Sequence, residues 1–97
     1  MMIGTQLKRV MDAANVKDRQ LGLMLGLKPE SAGPYIWQVS TNRKGVSAER
    51  ADEIGGKFGL PNGALAYPEL WDELWWRSTL NKLRRHAQER ANAEAAA

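Results

Sequence analysis

The sequence predicts an all-α protein: a single domain of four to five helices followed by a C-terminal helical extension. Three observations predict it. Apolar residues recur at helical spacing along nearly the whole chain. No stretch alternates apolar and polar residues as a half-buried strand would. Glycine and proline punctuate the pattern at intervals that suit short helices. The 97 residues are 43% hydrophobic, enough for one core and not for two.

The elements follow in order. Leu7, Val10, Met11 and Ala14 fall at i, i+3, i+4 and i+7 and define the inner face of a first helix. Thr5 is its expected N-cap and Asn15 its expected end, ahead of a short Val16-Lys17 link. A second helix starts at Lys17 or Asp18, is expected to bury Leu21, Met24 and Leu25, and stops at Gly26, after which Leu27 returns to the core. The prolines of Lys28–Pro34 predict an interruption. A third helix is expected to resume at Gly33-Pro34 and run to Ser40, with Ile36 and Val39 inward. Thr41–Gly45 is a basic loop. Ser47 caps a fourth helix that presents Ala51, Ile54, Gly55 and Phe58, with Gly59 and Pro61 ending it. Leu60–Leu65 is a turn that closes the core. A fifth helix is expected from near Pro68 toward Arg90, with its acids early and its cations late as the helix dipole favours, and the Ala91–Ala97 end is expected to fray. Residues 1–67 are thus expected to form one domain and residues 68–97 a helical appendage.

Projected at about 100° per residue, the fifth helix carries two stripes on opposite sides. Leu70, Trp71, Leu74 and Trp75 form one; Trp76, Leu80, Leu83 and Ala87 form the other. A straight helix cannot turn both toward one small core. The first stripe is expected to pack on the domain and the second to meet a partner, most simply a second copy in a homodimer. The competing reading is a bend near Arg77-Ser78 that folds both stripes inward.

Composition narrows the function classes. The chain has no cysteine, which excludes disulfides and thiolate metal sites. No apolar run is long enough to span a membrane and no secretory signal is evident, so a protein of the cytoplasm is expected. His86 is the only histidine, and no nucleophile–base pair, metal-ligand cluster or phosphate-cradling glycine loop appears, so neither an enzyme nor a cofactor is expected. Net charge is +3 but uneven: residues 1–45 hold seven Lys/Arg against three Asp/Glu, and residues 46–76 hold two against six. A basic N-terminal half is what an anionic partner would meet, although ordinary solvated surface explains it equally well.

Two short helices joined at a glycine within a small bundle have the helix-turn-helix layout. Small Gly22, four residues before Gly26, allows close packing between the pair. Leu25-Gly26-Leu27, then Ile36 and Val39, then Leu60-Pro61 to Leu65, resembles the Cro/repressor-like (lambda-repressor-like) regulators of phages and bacteria. The resemblance covers residues 4–65, and Leu27–Val39 is similar to a subgroup with a turn four residues longer. Many relatives join their first and third helices by a buried Arg–Glu pair. The matching positions are Met11 and Ser40, which implies an apolar substitute.

The resemblance implies that the third helix enters the major groove by its N-terminal end, where each base pair shows a distinct donor and acceptor pattern. The positions implied to face bases are Gly33, Pro34 and Gln38, and only Gln38 can form a bidentate pair with adenine. Tyr35 and Trp37 flank Ile36 and are read as contacts to phosphate, sugar or a thymine methyl, with core packing as the competing reading. The resemblance also implies backbone-phosphate contacts from Arg43 and Lys44 after the reading helix, and from Lys17 and Arg19 at the start of the second helix. Ser31 and Lys28 on the intervening turn are further phosphate candidates. Arg84, Arg85 and His86 are read as solvated surface before any extra nucleic-acid contact. The function this suggests is a repressor that binds double-stranded DNA as a homodimer on a near-palindromic operator. The alternative is an antitoxin-like adaptor whose C-terminal helix captures a protein partner.

Overall fold

The computed structural model describes residues 1–96, which form five α-helices and one 3-10 turn, with no strand among them. Helices α1 (Gly4–Ala14), α2 (Asp18–Met24), α3 (Pro29–Ser40) and α4 (Ala48–Gly56) precede the 3-10 turn at Pro68–Leu70, and α5 (Glu73–Ala96) closes the chain. No helix is long and apolar enough to cross a membrane.

α1 buries the expected Leu7, Val10, Met11 and Ala14. Its start differs from expectation: Ile3 occupies the N-cap position and Thr5 lies inside the first turn. Asn15 ends it with φ +54°, a left-handed conformation that Asn tolerates better than most residues. α2 begins at Asp18 as expected and turns at Gly26, whose φ is +84°. Leu21 is fully buried, Leu25 and Leu27 are half-buried, and Met24, expected inside, is exposed.

α3 departs most from expectation. It begins at Pro29 and continues through Pro34, so the link from α2 is only Leu25–Lys28 and no lengthened turn exists. Two features permit this. Pro29 stands in the first turn, where its missing N–H has no intrahelical partner to lose. Pro34 is preceded by Gly33, and a residue without a Cβ relieves much of the clash that otherwise drives a pre-proline residue out of the helical region. The extra turn brings Ala32 into the core beneath α2. Gly22 makes that approach possible, since a Cβ there would lie 2.5 Å from the Ala32 Cβ.

Ser47 caps α4 by accepting from the Arg50 backbone N–H at 3.1 Å. Ala51, Ile54 and Gly55 are buried, Phe58 packs on the core edge, and Leu60, Ala64 and Leu65 close it. The fifth helix does not start at Pro68. Trp71 is extended after the 3-10 turn, and Asp72 restarts the helix by accepting the Trp75 backbone N–H at 2.8 Å.

That restart turns the Trp76 stripe inward, against expectation, while Trp71 and Trp75 of the other stripe also pack against the core. Trp76 and Leu80 are 2% and 4% exposed in the chain's own core, and Leu83 packs at its edge. Ala87 is half-buried. Trp76 and Leu80 therefore cannot take part in the expected dimer seam. Leu70 and Leu74 are exposed, while Trp71 and Trp75 are half-buried and tilt against each other at 5.4 Å. The Trp76 indole donates to the Pro68 carbonyl at 3.0 Å, and the Arg90 guanidinium donates to the Ala14 carbonyl at 2.8 Å where α1 ends. α5 lies along α1 over its length and shares the core of the first 67 residues.

Candidate nucleic-acid interface

α3 turns Ala32, Ile36 and Val39 into the core, which leaves Glu30, Ser31, Pro34, Trp37 and Gln38 on its open side. Gln38 is exposed, and Trp37 is 46% exposed. Tyr35 sits between the two sides, half-buried against the core.

The loop after α3 folds back on that helix for specific local reasons. The Arg43 and Lys44 backbone N–H groups both donate to the Gln38 carbonyl, at 2.9 and 3.1 Å. The Thr41 hydroxyl donates to the Trp37 carbonyl at 2.6 Å. Asn42 takes a left-handed φ of +58°, and its side-chain oxygen accepts the Gly4 backbone N–H at 2.8 Å. The absence of a Cβ at Gly4 is what admits this approach, since one would fall 2.5 Å from that same oxygen. Met1 and Val46 exchange backbone bonds of 2.8 and 2.9 Å on the far side of the loop.

So held, the loop places its cations on aromatic faces. The Arg43 guanidinium lies 4.4 Å from the centre of the Trp37 ring. Tyr35 lies beneath two cations, Lys44 at 5.2 Å and Arg50 at 5.6 Å. The ring quadrupole attracts each cation. Arg43 and Lys44 remain exposed, and Arg50 also pairs with Glu53 at 3.0 Å. The result is an aromatic surface with donors of positive charge spread over it, next to the open side of α3.

The other expected residues are placed as follows. Lys17 is exposed at the N-cap of α2 and Lys28 at the N-cap of α3. Arg19 and Ser31 are exposed. Gly33 was expected on the reading face, but it faces α2, where Arg19 is its nearest neighbour at 3.8 Å from an added Cβ. It faces α2 because it stands three residues before buried Ile36, on the flank of α3 that meets that helix, and the earlier start adds Glu30 to the open side beside Pro34. Sequence reasoning missed two residues of this surface. Glu30 falls in the stretch read as an interruption. Arg50 is one of only two cations in the acidic segment, and nothing in its spacing links it to Tyr35. Among the described residues, no three His, Cys, Asp or Glu side chains converge as a metal site.

Comparison with protein-family models, with curated proteins and with solved structures finds no match for this chain.

Proposed function

We propose that the protein is a sequence-specific DNA-binding regulator that sets α3 in the major groove. The observation that carries this reading is the open side of α3, exposed along its length and bordered by Arg43 and Lys44 on a loop hydrogen-bonded to the same helix. Two supporting features are local. α2 and α3 meet through a short turn at Gly26, with Gly22 and Ala32 in close packing, which supports reading them as a helix-turn-helix pair. Lys17 and Lys28 stand exposed at the starts of both helices, where backbone N–H groups also favour phosphate.

On this reading, Gln38 pairs with adenine, Trp37 covers a thymine methyl or sugar, and the cations grip phosphate. Glu30, an acceptor on the same face, is suited to the exocyclic amine of cytosine. Two copies on a near-palindromic site would set their reading helices about 34 Å apart.

Titration of fluorescent duplexes at two salt concentrations tests the roles of these residues. Gln38→Ala is expected to weaken binding to a preferred sequence by about 1–3 kcal/mol and to relax one base position. Arg43→Ala and Lys44→Ala should weaken all sequences alike, each lowering the salt slope by about 1. Unchanged affinity and slope in all three variants would contradict the reading.

A further inference from the structure

The chain holds two exposed features of complementary chemistry, and neither belongs to the surface just described. The first is a protrusion. Leu70 and Leu74 are each 71% exposed, the highest values among the large hydrophobic side chains, and Tyr67 beside them is 47% exposed. The segment from Tyr67 to Trp76 contains Glu69, Asp72 and Glu73 and no cation; Glu73 already pairs with Arg9 at 3.1 Å, which leaves Glu69 and Asp72 to meet a partner's cations. Two exposed leucines in an acidic setting are poorly matched to water and equally poorly matched to another acidic surface.

The second is a groove along the other flank of α5. Two hollows of about 470 and 450 Å3 lie end to end and share Phe58, Leu83 and His86. Their apolar lining includes Met24, Leu60 and Ala87. Lys57, Lys82, His86 and Arg90 border them, and Glu94 at one end is the one acidic lining residue among the described residues. The groove follows α5 from Trp75 to Glu94, a span of about 28 Å at the helical rise.

We propose that the groove is the docking site for the Leu70–Leu74 protrusion of a second copy of this chain, so that two copies pair reciprocally. The leucines fill the apolar floor, and the acids of one copy meet the cations of the other. Charge selects this pairing: protrusion against protrusion sets acid against acid, and groove against groove sets cation against cation. A single contact of this kind is small against the roughly 1,200–2,000 Å2 that a stable interface buries. Two-fold pairing makes the contact twice and closes the assembly, whereas one unreciprocated contact would grow into an open chain. The self-association stands apart from DNA binding; only its use in spacing two reading helices rests on the regulator reading.

Sedimentation of the full chain at about 200 µM, well above the Kd of even a weak micromolar dimer, tests this. The expected mass is twice that of the 10.8 kDa chain. Leu70→Asp/Leu74→Asp and Lys57→Glu/Lys82→Glu alter only exposed side chains, and each pair is expected to give a monomer with unchanged helicity. A monomeric parent chain, dimeric variants, or growth beyond the dimer each overturns the proposal. Binding of each variant to a single half-site duplex is expected to equal that of the parent, so failure of self-association and failure of DNA binding are read separately.

Discussion

At Gly22 an added Cβ would stand 2.5 Å from the Ala32 Cβ and 2.6 Å from its carbonyl oxygen, both on the first turns of α3. Neither neighbour is the end of a flexible side chain, so the helices themselves must separate. Gly22→Ala is expected to destabilise the fold by about 1–3 kcal/mol, an overpacking cost that urea unfolding would measure. Gly56 is the contrast. A Cβ there meets nothing within 4 Å and its φ is not positive, so Gly56→Ala should stabilise by about 0.4–1 kcal/mol through the unfolded chain. The same scale governs the candidate interface. Gly4 admits Asn42, Asn42 turns the chain, and the turned chain lays Arg43 over Trp37. Of this surface, Gln38, Tyr35, Trp37, Arg43 and Lys44 were legible from their neighbours in sequence. Arg50 was not, because its place over Tyr35 depends on where α4 meets α3, a contact no local pattern encodes.

At the scale of elements, α5 shows what periodicity can and cannot decide. A 100° projection sorts the apolar residues into two stripes but is silent on how each packs: Trp76 and Leu80 are buried, Trp71 and Trp75 pack at the edge of the same core, and Leu70 and Leu74 are exposed. The choice is made upstream, where the 3-10 turn and extended Trp71 set the direction in which Asp72 launches the helix. Asp72→Ala removes the acceptor for the Trp75 N–H and is expected to cost about 1 kcal/mol, visible as a lowered thermal midpoint. Trp76→Ala discriminates between the two assignments. A core residue 2% exposed should cost about 3–5 kcal/mol of stability, whereas a seam residue would chiefly change the mass in solution. α3 teaches a related lesson. Pro34 reads as a breaker in isolation, and the Gly33 before it together with the burial of Ala32 outweighs the lost hydrogen bond. Asn15, Lys17 and Ser47 marked the end of α1 and the starts of α2 and α4 to within a residue, whereas Thr5 and Gly59 did not mark theirs: the N-cap of α1 is Ile3, and α4 ends at Gly56.

Across the whole molecule, the helical class and the single core follow from composition and spacing, and α5 belongs to that core through Trp76 and Leu80. Charge is divided between regions. The loop after α3 carries exposed Arg43 and Lys44, with Lys28 at the N-cap of that helix, while six of the eleven acids lie between residues 46 and 76. Under the proposed reading, an anionic partner would be steered to the side that bears Arg43 and Lys44, at a rate that salt should depress. Selection of bound duplexes from a random DNA pool tests the central claim most directly. The account predicts enrichment of a short shared half-site, with enrichment at its adenine position lost when Gln38→Ala replaces the parent chain. Recovery of unenriched DNA, or of none, at low as well as physiological salt would contradict it.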